Sequence, residues 1–290
     1  MPDTPSGDPV AHYYDSNTRR FLFVGGGGAT HSIHRQLWGP GVGTTGDAAD
    51  YINRLIAERI RGIGSGPEVT ILDMGCGVGG TLFRLADSFP QGQLHGITIS
   101  PKQCDLANHL ASKKGLQDRC RVHLGDFQSA RLEVEADAIV AVESFVHAGS
   151  PERFFTWAAD HLRAGGHLML ADDFLGPDLR PLDDSQRRHV ADFQAGWRVP
   201  GLGTVEDCVR AAAELGLEPV SDTDLTPLIR LGRPRDLAIA LLCPVFRRLG
   251  LARVPFFGNM IGGNALQTGL REGLFTYRFL VFRRREAASH

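Results

Sequence analysis

The sequence predicts an α/β fold with a doubly wound, mostly parallel, seven-stranded sheet and helices on both faces. Three observations support it. From residue 69 onward, short β-rich runs alternate with helical runs, which is the pattern of consecutive β-α-β units. The first apolar run ends in a glycine-rich turn. Two long stretches then interrupt the alternation, as insertions at the strand ends of such a sheet do.

The elements follow one another in the order that this fold requires. Residues 45–63 carry apolar side chains at helical spacing and precede the first strand. Helical runs separate most of the later strands, and one of these runs opens with Ser100 and Pro101. The seven predicted strands are VTILDM, QLHGITIS, CRVHLGD, ADAIVAVES, GGHLMLADDF, EPVSDTDLT and YRFLVFRR.

The chain divides into a tail, a lid and one large domain. We expect residues 1–10 to form a disordered tail because they are polar and proline-rich. Residues 11–44 are expected to form an N-terminal helical lid, and residues 45–290 the main domain. Cap insertions are expected near residues 175–203 and 227–275, beyond strand ends, where open α/β sheets bind their ligands.

Composition excludes several classes of protein. A formal charge of −2 gives no reason to expect a nucleic-acid partner. The five cysteines show no CxxC spacing, so we expect neither a zinc site nor a disulfide framework. No apolar run approaches the roughly 20 residues that a membrane span requires. We therefore expect a cytoplasmic protein with a small-molecule partner, and an oligomeric state that stays open.

The first strand-to-helix turn carries Asp73, Gly75, Gly77 and Gly79. Glycine-rich turns of this kind usually bring the backbone close to a nucleotide. A carboxylate at the strand end would repel a pyrophosphate but suits a ligand with a cationic amino group. S-adenosylmethionine, which carries an ammonium and a sulfonium, is such a ligand.

Three motifs, in order, resemble those of the class I S-adenosylmethionine-dependent methyltransferases. LDMGCGVGG resembles their first motif, LGDF a second, and LRAGGHLMLADDF a late one. The resemblance covers residues 45–175 and again about 204–285, and it implies a Rossmann-like methyltransferase fold. It also implies that Asp126 accepts a hydrogen bond from the adenine amino group and that Phe127 lies against the adenine ring.

Other residues resemble the carbon-methylating enzymes of this family, such as sterol, tocopherol and geranyl diphosphate C-methyltransferases and cyclopropane fatty acid synthases. The second strand ends without the usual acid and offers Thr98, Ser100 and Gln103 to bind the cofactor. Glu143 and His147 form an E-x-x-x-H pattern after the fourth strand. The segments Tyr13–Asp15 and HSIHRQLW resemble the lid of the same group.

This resemblance implies attack of an alkene on the sulfonium methyl, followed by loss of a proton from a carbocation. Glu143 is the candidate base and His147 its partner, although Glu143 could instead bind the methionine ammonium or the lid. Aromatic faces stabilise cations, and Tyr14 and Trp38 are favoured because they lie in the predicted lid. The other aromatic candidates, more typical of a core, are Tyr13, Phe145 and Trp197.

The sequence says less about the molecule that accepts the methyl group than about the cofactor. An isoprenoid diphosphate would be held by arginines, with Mg²⁺ as a second cofactor. No metal ligands are assigned. His31, His34 and Arg35 could form a diphosphate or metal cluster or be polar surface groups in a loop, and the surface interpretation is preferred over a metal cluster. The alternatives are methylation of oxygen or nitrogen and a non-catalytic module that binds S-adenosylmethionine. The candidate arginines are Arg19, Arg20, Arg230, Arg233 and Arg235.

Overall fold

A seven-stranded sheet forms the centre of the computed structural model, which describes residues 34–64, 66–176 and 181–286. The strands lie in the order β3-β2-β1-β4-β5-β7-β6. Their bounds are β1 Thr70–Met74, β2 Gln93–Thr98, β3 Cys120–Leu124, β4 Ala136–Val142, β5 Leu162–Leu175, β6 Leu217–Asp224 and β7 Phe275–Arg284.

Strands β1 to β5 are parallel, and β7 is antiparallel to both of its neighbours, β5 and β6. The prediction of a doubly wound, mostly parallel sheet is therefore confirmed. The chain moves outward from β1 through β2 to β3 and then returns to the other side of β1 with β4. This reversal opens a crevice at the carboxyl ends of β1 and β4, the usual ligand position in such sheets.

Most of the α-helices begin at a capping side chain or at a proline. Helix α1 begins after Thr44, whose hydroxyl accepts from the Asp47 N–H while the Asp47 carboxylate accepts from the Thr44 N–H. Ser100 and Ser150 cap the helices that open with Pro101 and Pro151. The α-helices are α1 Thr45–Gly62, α2 Gly80–Ser88, α3 Pro101–Lys113, α4 Pro151–His161, α5 Asp184–Trp197, α6 Val205–Glu214, α7 Pro234–Arg248 and α8 Pro255–Arg271.

Two apolar layers cover the faces of the sheet, because alternate residues of each buried strand point to opposite sides. Ile71 of β1 packs in the layer that contains α1 to α3. Its neighbour Leu72 packs in the layer that contains α4 and α6, together with Phe154 and Phe155. Both layers are buried, so the carboxyl ends of the strands are held on a rigid base.

The cap insertions form a separate layer above the carboxyl ends of the strands. Helix α5 belongs to the first insertion, and α7 and α8 to the second. Phe193 of α5 packs against Leu266 and Leu270 of α8 and against Phe275 at the start of β7. The expected cap positions near 175–203 and 227–275 therefore correspond to one helical layer with its own small core.

The structure describes only residues 34–44 of the predicted lid. Residues 34–44 lie in irregular structure, with Leu37 forming a bridge to Ile229 of the cap. Tyr13, Tyr14, Asp15, Arg19, Arg20 and His31 lie outside the described residues, as does the predicted tail. None of the described helices has a stretch long and apolar enough to cross a lipid bilayer.

A crossing between two glycines sets the distance between α5 and α8. A Cβ atom on Gly196 would lie 2.5 Å from the Gly258 carbonyl oxygen and 2.8 Å from the Gly262 Cα. Both contacts are with backbone, which no side-chain rotation can relieve. The cap therefore needs a glycine at this crossing.

Gly196→Ala is expected to lower the free energy of unfolding by about 1–3 kcal/mol, because the methyl group pushes α8 away. Gly62→Ala is the matched control, since a Cβ at that helical position meets nothing within 4 Å. Urea denaturation of both variants measures the difference. Equal stability of the two variants would show that the crossing is not tightly packed.

Candidate active site

A cavity of about 890 Å³ opens at the carboxyl ends of the central strands and is roofed by the cap. Its floor comes from the turn after β1, the end of β2, the turn after β3 and the ends of β4 and β5. Ligand pockets commonly measure about 300–1,000 Å³. This cavity lies near the upper limit, so it has room for two small molecules side by side.

The glycine turn after β1 borders the cavity and depends on left-handed backbone. Gly75 has φ 81°, and a Cβ there would lie 2.6 Å from the Ser144 Cβ. Gly77 has φ 55° and lines the cavity, and a Cβ there would meet no protein atom within 4 Å. The backbone at Gly77 is therefore open to a ligand, while Gly75 is needed for close packing.

Two predicted cofactor residues lie beside the turn without lining the cavity. Asp73 is buried at the end of β1, and burial raises the pKa of its carboxyl to about 7. Gly79, with φ 85°, is the N-cap of α2, where a Cβ would lie 2.9 Å from the Phe83 ring. Both residues therefore support the turn without bordering the cavity.

The polar groups after β2 separate into two roles. Thr98 and Gln103 line the cavity, and the Thr98 hydroxyl donates to the Gln103 Oε1 at 2.8 Å. Ser100 is fully buried, and its hydroxyl accepts from the Gln103 N–H as the cap of α3. Of the three residues expected to bind the cofactor after β2, two reach the cavity and Ser100 serves the helix instead.

Asp126 and Phe127 form another part of the floor. The Asp126 Oδ1 accepts from the Gln128 N–H at 2.8 Å, which fixes the turn after β3. Phe127 packs edge-on against Phe154, with ring centroids 5.7 Å apart. Both residues line the cavity on the same side as Thr98, so the structure brings together the groups expected at the adenosine end.

Glu143 begins the turn after β4 with φ 52°, an uncommon conformation for a residue with a side chain. Its N–H donates to the Ala171 carbonyl at 2.8 Å. Its Oε1 accepts from the Arg35 N–H at 2.9 Å and from the Tyr277 hydroxyl at 3.1 Å. The carboxylate therefore lines the cavity in a fixed position and also binds the lid segment, which is one of the alternatives left open for it. Its role as a base stays a prediction.

Glu143, which is half-buried, lies with the buried Asp172 and Asp173 in a cluster of three carboxylates, two of which interact with Arg35. Asp173 lies at the end of β5 and pairs with both terminal nitrogens of Arg35. Asp172 accepts from the backbone N–H groups of Val146 and Asp173. Burial, and next the charge of Asp173, raises the pKa of Asp172 well above its usual value. The cluster therefore favours a bound proton on Asp172.

The Arg35 side chain is 13% exposed, and its guanidinium lies 4.8 Å from the centre of the Tyr277 ring. Burial disfavours its charge, but the pairing with Asp173 outweighs burial and raises the pKa of Arg35. Burial also raises the pKa of Asp173, which Arg35 opposes. The interpretation of Arg35 as a surface group is wrong, because the arginine holds the lid segment on buried acids.

Two histidines contribute further polar groups to the lining of the cavity. The His34 Nε2 lies 2.8 Å from the Thr81 hydroxyl, and His147 bonds to the backbone of Arg198. Burial lowers the pKa of both imidazoles, against an opposing effect of Glu143. Both residues line the cavity. The lowered pKa favours the neutral imidazole of His147, and its role as a partner of Glu143 stays a prediction.

Aromatic and cationic side chains of the lid segment and the cap line the rest of the cavity. Trp38 and Trp197 line the cavity, whereas Phe145 packs in the core against Phe154 and is not available as a cavity wall. The Arg230 guanidinium lies 3.3 Å from the centre of the Trp38 ring. All three predicted cap arginines line the cavity: Arg230, Arg233 and Arg235. Within the described residues, no group of three or more His, Cys, Asp or Glu side chains is arranged to hold a metal ion.

Sequence reasoning missed the partners of Glu143. Asp172 and Asp173 were recognised only as part of a strand motif, and Tyr277 only as an apolar position of the last strand. Two consecutive acids at the end of a buried strand could have indicated that such partners exist, because buried carboxylates require partners. The pairing of Asp173 with Arg35, 138 positions earlier, had no local signal.

Comparison with known proteins identifies the domain type. Residues 71–166 match the family of methyltransferase domains. A sterol 24-C-methyltransferase of Gibberella zeae is 29% identical over 165 residues, which cover 56% of this chain and 43% of that protein. The chain spans about half the length of the curated relatives that it matches.

Two solved structures share the fold over nearly the whole chain. The geranyl diphosphate C-methyltransferase of Streptomyces coelicolor A3(2), in complex with Mg²⁺, geranyl-S-thiolodiphosphate and S-adenosyl-L-homocysteine, has a TM-score of 0.71 at 20% identity. The match covers 98% of this chain and 99% of that one. A cyclopropane synthase of Mycobacterium tuberculosis has a TM-score of 0.73 at 18% identity, covering 98% and 100%.

Arg35→Ala is expected to lower the free energy of unfolding by about 3–5 kcal/mol at neutral pH, because it leaves buried carboxylates without their cation. The deficit should shrink as the pH falls toward about 4, where aspartate becomes protonated in the unfolded chain too. Urea denaturation at several pH values measures this.

Arg285→Ala is the matched control, since Arg285 and Glu218 pair at 2.7 Å with side chains 61% and 54% exposed. Its cost should stay below about 1 kcal/mol at every pH. A similar loss in both variants would contradict the assignment of Arg35 as the cation of a buried cluster.

Proposed function

We propose that this chain, a class I S-adenosylmethionine-dependent methyltransferase by its domain and fold, transfers the methyl group to an alkene carbon of a small isoprenoid-type molecule. The domain match and the shared fold support the cofactor. The names of the sterol and geranyl diphosphate relatives support carbon as the acceptor atom. The isoprenoid character rests on the shape and chemistry of the cavity.

The floor of the cavity suits the methyl donor. Adenosine would lie against Phe127, with the adenine amino group donating to Asp126 and the ribose near Thr98 and Gln103. The methionine part would lie along the open backbone at Gly77. This leaves the sulfonium methyl directed toward the space between the sheet and the cap, where the acceptor would lie.

The observation that carries the proposal is the carboxylate of Glu143, held in the cavity wall by Arg35 and Tyr277. On this proposal it would lie between the donor and the acceptor. The alkene π electrons would form the new C–C bond to the methyl group while the S–CH₃ bond breaks and its electrons stay on sulfur. The adjacent carbon then becomes a carbocation. Glu143 would stabilise that charge and accept a proton from a neighbouring carbon, which restores a double bond.

The walls around this space fit a cationic intermediate. Trp197, and the face of Trp38 that Arg230 does not cover, would offer electron-rich surfaces. Ile239, Leu266 and Leu270 would help to exclude water from the cation. Tyr14 remains a further candidate for the same role. His147 would receive or orient the proton held by Glu143, since its lowered pKa keeps the imidazole neutral.

The cap arginines support an anionic head group on the acceptor. Arg230, Arg233 and Arg235 border the cavity on the side of the cap, and guanidinium groups bind phosphate oxygens in pairs. A prenyl diphosphate has this head group on an alkene tail. If the acceptor is a diphosphate, Mg²⁺ would bind through its phosphate oxygens, with few or no protein ligands.

Glu143→Gln is expected to lower the rate of carbon methylation at least about 10²-fold, because the amide cannot accept the proton. Binding of S-adenosylmethionine should be preserved, since the glutamine Oε1 can still accept from Arg35 and Tyr277. Turnover of methyl-labelled S-adenosylmethionine with a panel of prenyl diphosphates and phenols measures the rate.

Glu218→Gln, at an exposed carboxylate on β6, is the control and should retain full activity. Transfer to phenols alone, preserved in Glu143→Gln, would favour the alternative in which oxygen is methylated. Binding of S-adenosylmethionine without transfer to any acceptor would favour a non-catalytic module.

The raised pKa of Asp73 predicts how cofactor affinity depends on pH. Below about pH 7 the buried carboxyl holds a proton in the free protein, and a nearby cation favours the ionised form. Affinity for S-adenosylmethionine should therefore rise with pH, by up to about tenfold per unit, and level off above pH 7. Calorimetry in buffers of different ionisation enthalpy should detect the released proton.

Asp73→Asn should remove both the pH dependence and the proton release, whereas Asp118→Asn at an exposed acid should change neither. An unchanged pH dependence in Asp73→Asn would contradict the coupling between this carboxyl and the cationic ligand.

A further inference from the structure

The second half of the cap exposes an unusual concentration of apolar side chains. In the described part of the chain, nine large apolar side chains are exposed, and seven of them lie between residues 237 and 256. We call these seven the cap surface: Leu237, Leu241, Leu242, Val245, Leu249, Val254 and Phe256. Contiguous apolar surface of this kind marks an interaction site.

The cap surface follows from the spacing of residues on α7. Leu237, Leu241, Val245 and Leu249 recur every four positions and so form one line along the helix. Leu241, in the middle of the line, is 79% exposed. The opposite side of α7 packs on α8, and Cys243 is the one buried residue of this fully described helix.

The segment that carries the cap surface is itself mostly positive, and Arg247 within it pairs with Asp192 of α5 at 2.6 Å. Residues 233–256 contain five arginines and one acid, a net charge of +4 in a chain whose formal charge is −2. The acid, Asp236, pairs with Arg233 and Arg235 at the start of α7. Arg248 and Arg253 are exposed at the other end. Both ends of the apolar line therefore carry arginine.

We propose that the cap surface docks on an anionic lipid bilayer. The leucines would enter the boundary between head groups and acyl chains, and Arg248 and Arg253, exposed at the end of α7 and just beyond it, would contact lipid phosphates. A second copy of the chain fits less well. A two-fold contact pairs a surface with itself, which would bring arginines of the two copies against each other.

The cap surface is continuous with the wall of the active-site cavity. Ile239 of α7 lines the cavity, and Phe256 lines it while remaining 43% exposed. A helix docked on a bilayer would thus separate the lipid from the cavity by one layer of side chains. Docking itself does not depend on the proposed methyl transfer, whereas delivery of a bilayer-dissolved acceptor to the cavity does.

Co-sedimentation of the full chain with vesicles tests the proposal. We expect binding to vesicles of phosphatidylcholine with phosphatidylglycerol, weaker binding as salt increases, and little binding to phosphatidylcholine alone. Leu237→Glu and Leu241→Glu should each weaken binding to the anionic vesicles roughly tenfold or more. Val220→Glu on β6 is the control, because Val220 and Leu237 are both 52% exposed, and it should bind like the parent protein.

Three outcomes would overturn the proposal. One is no binding of the parent protein to anionic vesicles. Another is an equal effect of Leu241→Glu and Val220→Glu. The third is self-association in light scattering that Leu241→Glu abolishes, without vesicle binding, which would make the cap surface a contact between copies. Circular dichroism and cofactor binding establish that each variant is folded, and none of these outcomes bears on the methyl transfer itself.

Discussion

The charge balance around Arg35 holds the active site together. The Arg35 guanidinium pairs with Asp173, and the Arg35 backbone N–H donates to Glu143. A single residue therefore joins the lid segment to the ends of β4 and β5. Three carboxylates could not lie together in a buried site without such a partner. Because the arginine is not part of the sheet, the catalytic wall is complete only when residues 34 and 35 lie over the crevice.

The rest of the site follows from this constraint and from the order of the strands. The reversal between β1 and β4 opens the crevice, and the Ser144 hydroxyl ties the two strand ends together by donating to the Met74 carbonyl at 2.6 Å. Tyr277 reaches Glu143 only because β7 inserts antiparallel between β5 and β6. The closely packed helices α5 and α8 then cover the cavity. On the proposed function, a methyl donor on the floor and an acceptor under the cap would share this one space.

Local signals predicted the sheet and most helices, since glycine turns, capping residues and alternating strands each depend on near neighbours. One cavity is lined by four of the residues that these local signals indicated: Thr98, Gln103, Asp126 and Phe127. Ser100 was misread because a serine before a proline can cap a helix as well as bind a ligand. The partners of Glu143 could not be derived, because Arg35 and Tyr277 are more than a hundred residues away in the chain and meet it only through tertiary packing.

The central claim is that the site forms a carbon–carbon bond. S-adenosylmethionine labelled with ¹³C in its methyl group, incubated with the protein and a prenyl diphosphate uniformly labelled with ¹³C, tests this by nuclear magnetic resonance of the product. We predict a methyl signal that is split by one-bond coupling to a neighbouring ¹³C atom. A product in which the labelled methyl group shows no such coupling, because it is attached to oxygen or nitrogen, would contradict the claim.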